Sequence, residues 1–140
     1  MTRINCVPVE TLTNKHLMAE YKEITRPFNK VLDRIEKYGI ENALAGVVIA
    51  DNYILGKGHE SFFFNKLKWL FHRHNSVFDE CVKRGFDVDQ EKFCKISGSF
   101  VRRLWETKYW NQWQPTPEDM YVNMARLCHR HFGEKVDSFK

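Results

Sequence analysis

The chain has little of what marks secreted, membrane-spanning or metal-stapled proteins. Its four cysteines, Cys6, Cys81, Cys94 and Cys128, include no pair at CxxC spacing. This argues against a zinc ribbon and against the dense disulfide framework of small secreted domains; a reducing cytoplasm, of a bacterium or a bacterial host cell, suits these thiols better. No apolar run approaches the ~18 residues of a membrane helix. Arg3, Glu10, Lys15 and Glu20 interrupt the start of the chain, so a secretory leader is not expected there. Internal repeats and low-complexity linkers are absent too. Nor is there a strong charge of one sign: 22 Lys and Arg against 18 Asp and Glu leave a net charge of +4, compatible with a nucleic-acid partner and equally with an ordinary soluble protein. At 140 residues the chain can bury one core but not two, so a single domain over 1–140 is expected, acting as a monomer without a membrane partner.

What is present is helical periodicity. From about Thr13 to Tyr38, Leu17, Tyr21, Ile24, Phe28, Leu32 and Ile35 recur at three- and four-residue steps, and Pro27 should kink or split that helix. A second helix is expected from about Ser61 to Arg84, preceded by a turn at Gly56-Lys57-Gly58 and stopped by Gly85 in a left-handed conformation. A third starts where Thr116 can cap, Pro117 suits the first helical position and Glu118 and Asp119 complement the helix dipole; it runs to about His131 and stops near Gly133. Gly46-Val47-Val48-Ile49-Ala50 reads as a short strand without a partner. The expected fold is mainly α, about three helices packed on one core with irregular connecting segments.

Two polar patterns invite chemistry. His72-Arg73-His74 and His129-Arg130-His131 place imidazoles at i,i+2, about 200° apart on a helix, so neither pair can chelate an ion from one face, and no metal is expected. His16, Glu20 and Glu23 instead fall within a narrow arc, at about 0°, 40° and −20° for roughly 100° per residue. Spacing alone makes that arc an ordinary solvated face.

Two stretches change that weighting. Met1-Thr2-Arg3-Ile4-Asn5, continuing through His16-Leu17-Met18-Ala19-Glu20-Tyr21-Lys22-Glu23-Ile24-Thr25-Arg26, is the first. The second is Tyr53-Ile54-Leu55-Gly56-Lys57-Gly58-His59, followed by Phe62, Phe63, Lys66, Leu67 and Glu80-Cys81-Val82-Lys83-Arg84-Gly85-Phe86. Together they resemble the pyrimidine-dimer DNA glycosylase family of phage endonuclease V-like repair enzymes. Ala125-Arg126-Leu127, with Arg130 a turn later, resembles a basic pair of the same family.

The resemblance implies a bifunctional glycosylase and AP lyase that needs no cofactor and acts on damaged or abasic double-stranded DNA. It makes Thr2 the nucleophile, through the α-amine exposed when Met1 is trimmed, and Glu23 the acid/base group. Arg3, His16, Lys22, Arg26, Arg126 and Arg130 become the DNA-binding residues. Lys22 stands where the family has an arginine, which keeps the charge but not the planar fork. The chain also ends in Phe132-Gly133-Glu134-Lys135-Val136-Asp137-Ser138-Phe139-Lys140 rather than in the family's aromatic-rich tail. Trp105, Tyr109, Trp110 and Trp113, interleaved with Arg102, Arg103 and Lys108, suit base stacking in its place, or simply packing against the helices. The competing class is a DNA-binding relative that has lost catalysis or recognises another modified base.

Overall fold

Pro27 sets the first corner. In the computed structural model, which describes residues 2–132 and their side chains as far as Cys128, Thr13 caps α1 (Asn14–Glu23) by accepting from the His16 amide at 3.2 Å. After Ile24 and Thr25 the chain enters α2 (Arg26–Tyr38) with Pro27 in its first turn. An amide hydrogen is not needed there and the proline ring meets no carbonyl of its own helix. The single helix expected over 13–38 is therefore two, and the break falls beside Glu23.

The second expected helix is also two. A single turn, α3 (His59–Phe62), is separated from α4 (Leu67–Lys83). The reason is tertiary: the Leu67 and Trp69 amides at the start of α4 donate to the Tyr109 and Asn111 carbonyls at 3.1 and 3.2 Å, so a distant segment caps α4 where α3 would otherwise continue. Its other end follows the sequence signal. Gly85 has φ +81°, and the bonds Gly85 N to Val82 O (3.0 Å) and Phe86 N to Cys81 O (2.9 Å) close a Schellman stop.

The stretch after Gly85 was expected to connect irregularly, yet it holds α5 (Gln90–Leu104), capped by Asp89, whose carboxylate accepts from the Lys92 amide at 3.0 Å. Phe93, Ser97, Phe100 and Leu104 form its buried stripe, but Ser97-Gly98-Ser99 dilutes the helical signal in mid-element. Before α6 (Pro117–Phe132), Thr116 and Asp119 cap each other reciprocally at 3.1 and 2.9 Å. Residues 47–50 are not a strand, and among the described residues there is none. Gly133, the expected stop of this helix, lies outside the described residues. The fold is mainly α as expected, but the described residues form five helices of ten or more residues rather than three, plus α3 and a 3-10 turn at Val9–Thr11.

α1 packs on α4, and α4 on α5. Leu17, Ile24, Phe28, Val31, Phe62, Phe63, Leu67, Leu70, Val77 and Leu104 are buried almost completely, each worth about 1.5–3 kcal/mol. Through this core runs the N-terminal segment, with Ile4, Cys6 and Val7 buried. No helix among the described residues is long and apolar enough to cross a membrane.

Candidate functional site

A buried segment that belongs to no helix or sheet must satisfy its peptide groups with side chains. Residues 2–7 do so through groups drawn from across the fold. The Ile4 amide donates to His59 Nε2 at 2.9 Å, and the Tyr53 hydroxyl donates to Ile4 O at 2.7 Å. Cys6 N and Val7 N both donate to Asn123 Oδ1, at 2.7 and 3.1 Å. Because His59 Nε2 accepts, its proton sits on Nδ1, which faces Ile54 O at 2.7 Å. Burial pulls the His59 pKa below its ordinary value, keeping the imidazole in the neutral form this clamp requires.

Beneath the segment lies a closed polar network. Asn5 Nδ2 donates to Glu20 Oε1 at 2.7 Å, and Asn123 Nδ2 donates to Asn5 Oδ1 at 2.7 Å. Arg73 grips both Glu20 oxygens, Nε to Oε2 at 2.7 Å and Nη2 to Oε1 at 3.0 Å, and also donates to Val7 O. Glu20 is fully buried. Such an ion pair pays its desolvation only when every oxygen is engaged, as here.

These contacts deliver Thr2 and Arg3 to the α1–α2 corner. The Arg3 amide donates to Glu23 Oε1 at 3.0 Å, and Arg3 Nε to the same oxygen at 3.3 Å. Arg26 Nη1 lies 3.7 Å from Glu23 Oε2 and donates to Thr2 Oγ1 at 3.3 Å, so one guanidinium nitrogen touches both Thr2 and Glu23. A cleft of about 460 Å³ opens here, lined by Arg3, Lys15, Met18, Ala19, Lys22, Glu23 and Arg26. Glu23 is buried, whereas Lys15, Lys22 and Arg26 are exposed. The result is one carboxylate at the floor of a cationic mouth.

Of the residues singled out in the sequence, Thr2, Arg3, Lys22, Glu23 and Arg26 come together. His16 does not line this cleft; half-buried, it borders a separate groove with Thr11, Leu12, Thr13, Met124, Leu127 and Cys128. Arg126, also half-buried, donates through Nη2 to Asn5 Oδ1 and so meets the network under the N-terminal segment. The side chain of Arg130 and the terminal residues 133–140 lie outside the described residues, as does Met1. The His16–Glu20–Glu23 arc proves to be no solvated face: it divides among a groove, a buried ion pair and the cleft. In the aromatic cluster, Tyr109 is buried, Trp110 packs on Phe71, and Trp113 stacks on Tyr53 with centroids 6.3 Å apart, so packing dominates; Trp105 alone of the four is exposed.

Sequence reasoning missed Glu60 and Lys30. Thr2 Oγ1 donates to Glu60 Oε2, and Lys30 Nζ pairs with Glu60 Oε1. Burial alone pushes the Glu60 carboxyl up, but the bonds from Lys30 and Thr2 and the Lys30 and Arg26 charges hold it below its ordinary value. No spacing rule links positions 2, 30 and 60, so only the fold could reveal the trio. The thiol nearest the N-terminal segment is chemically quiet: burial pushes Cys6 up to about 12, leaving it protonated at neutral pH.

The comparison with known families bears on this same region. A family model described as pyrimidine dimer DNA glycosylase matches residues 1–93, a span that contains Thr2, Arg3, Lys22, Glu23, Arg26 and Glu60 but not Arg126 or Arg130.

Proposed function

Since the chain belongs to the pyrimidine dimer DNA glycosylase family and DNA is accordingly its substrate, we propose that it couples base excision to strand cleavage through the α-amine of Thr2. The observation carrying this reading is the convergence of Thr2 and Glu23 on Arg26, beside the cleft that Glu23 and Arg26 line. Removal of Met1 frees the Thr2 nitrogen. An α-amine has an ordinary pKa of about 7.7–8.0, more than two units below lysine, so a useful fraction is unprotonated near neutral pH. Neighbouring cations favour that neutral form further.

The reaction balances without a cofactor. The Thr2 amine attacks C1′ of the damaged nucleotide, the glycosidic bond breaks toward the base, and the base leaves with a proton. Loss of the amine proton and opening of the sugar ring give an imine between Thr2 and C1′. Glu23 stabilises the positive charge that develops at C1′, then takes a proton from C2′. The electrons released form a C2′–C3′ double bond and expel the 3′ phosphate, and water hydrolyses the imine to restore the amine.

Arg3, Lys15, Lys22 and Arg26 suit the phosphates flanking the reacting sugar, because they surround the one carboxylate in the cleft and carry the opposite charge to the backbone. Double-stranded DNA bearing a damaged or abasic site is the proposed substrate. The deciding experiment is borohydride reduction on dimer-containing, abasic and base-modified duplexes, with the adduct located by peptide mass spectrometry. A covalent adduct on Thr2 is expected. Its absence from every duplex, or its location on a lysine, overturns the amine reading.

A further inference from the structure

Glu60 and Lys30 take no part in the steps above, yet Glu60 holds the side chain of the residue that supplies the amine. The Thr2 hydroxyl donates its single proton to Glu60 Oε2 and accepts from Arg26 Nη1 at 3.3 Å, so both of its roles are taken and one rotamer is fixed. Lys30 occupies the other Glu60 oxygen. Glu60 also follows His59 directly on α3, and His59 receives the Ile4 amide. One helical turn therefore grips this segment twice, by backbone at Ile4 and by side chain at Thr2.

The geometry has a consequence specific to a terminal amine. Once Met1 is gone, the Thr2 nitrogen has no peptide tether and can swing about the Thr2 Cα–C bond. On one side the Arg3 amide is fixed to Glu23 at 3.0 Å. On the other, the only remaining handle on the Thr2 Cα is its side chain. Anchoring Oγ1 therefore sets where the nitrogen points.

Resting on the amine-and-glutamate reading, we propose that Glu60, steadied by Lys30, is a positioning residue that holds the Thr2 α-amine toward the Glu23 cleft. The ordinary alternative is a part-exposed ion pair of small stabilising value. The two differ in what they do to the chemistry. Around Thr2, Glu23 and Glu60 face Arg3, Arg26 and Lys30. Glutamine at 60 leaves one carbonyl oxygen for which Lys30 and the Thr2 hydroxyl compete, which loosens the hold on Thr2, and the lost charge leaves the amine in a more positive field, which lowers its pKa.

The test is a cycle of four proteins, wild type, Glu60→Gln, Thr2→Val and the double variant, each with Met1 removal checked by intact mass and folding checked by urea unfolding. The rate of borohydride trapping on an abasic duplex is followed against pH. Glu60→Gln is expected to slow the plateau by about ten- to a hundredfold, the scale of a nucleophile misplaced by ~1 Å. Its acid limb should shift to lower pH, which a merely loosened fold does not produce. Thr2→Val should slow trapping similarly, and the double variant should be no slower than Thr2→Val. Thr2→Ser, which keeps a hydroxyl, should stay sensitive to Glu60→Gln. Wild-type trapping with Glu60→Gln within about twofold of it, or with additive losses in the cycle, overturns the positioning role and leaves the amine reading standing. Failure of the wild type to trap removes the amine reading itself, and the positioning role with it.

Discussion

Glu20 and Glu23 show how far two like residues on one helix can diverge. Glu20 has lost all contact with solvent and answers Arg73 with both oxygens, whereas Glu23 closes the floor of an open cleft. Their substitutions should therefore fail differently. Glu20→Ala leaves a buried, uncompensated guanidinium and should cost about 3–5 kcal/mol in urea unfolding. The pair replacement Glu20→Leu with Arg73→Met removes the orphaned charge but leaves Asn5 Nδ2 and Val7 O without these partners, so it should recover part of that loss; a double variant less stable than Glu20→Ala shows that the buried charge is not the main cost. Glu23→Gln removes the proton acceptor and should reduce strand cleavage by about 10²–10⁴-fold in single-turnover assays. A Glu23→Gln enzyme cleaving at more than a tenth of the wild-type rate contradicts the assigned role. The arc at 16, 20 and 23 was legible in the sequence as geometry, but its separation into structure and chemistry was not. That depended on Arg73, more than fifty positions away along the chain.

At the scale of elements, three local signals with a backbone reason were legible, while the Asp89 cap of α5 was not read. Pro27, the Thr116–Asp119 cap and Gly85 act through conformations set within a few residues, and each marks a real boundary. Gly85→Ala is expected to destabilise the protein by about 1–2 kcal/mol, since an L side chain resists φ +81° even where nothing crowds it. An unchanged melting temperature would show that the Schellman stop opens freely. The signals that misled were tertiary. The stretch from Ser61 to Arg84 is periodic throughout, but the segment bearing Tyr109 and Asn111 supplies the carbonyls that start α4 afresh. α5 was hidden because Ser97-Gly98-Ser99 interrupts its propensity, while Phe93, Phe100 and Leu104 compensate through burial.

For the molecule as a whole, two buried imidazoles tie stability to pH. His74 is driven down to about 4 by burial, and the His59 pKa is lowered mainly by the same cause. Their folded-state values lie below the unfolded value of about 6.5, so the unfolded chain binds protons first as pH falls. Stability should hold above about pH 6.5 and decline below it, by on the order of 1 kcal/mol per pH unit from His74 down to about pH 4, with His59 acting in the same direction. Thermal melts across pH 4–8 check the window, and His74→Phe should flatten the slope. Protonation at His59 Nε2 also sets a hydrogen against the Ile4 amide, so release of the N-terminal segment should accompany the decline. The cleft makes a separate prediction. If Lys22 contacts a phosphate, Lys22→Ala weakens binding to matched duplexes of different sequence alike and lowers the log–log salt slope by about 0.9. A salt slope equal to that of the wild type removes Lys22 from the footprint.

The amino-acid sequence by itself determined the helical class, the break at Pro27, the Thr116 cap, the Gly85 stop and the family signature in residues 1–93, because these depend on residue type and short spacing. It could not decide which polar residues of that signature serve the substrate and which serve the chain. Tyr53, His59, Asn123 and Arg73 satisfy an N-terminal segment that has no strand to pair with, and Glu60 reaches Thr2 while pairing with Lys30 only because α2 and α3 pack beside each other. Such contacts join residues distant along the chain, and burial chooses the partners. Only the tertiary structure could therefore separate the clamp from the cleft.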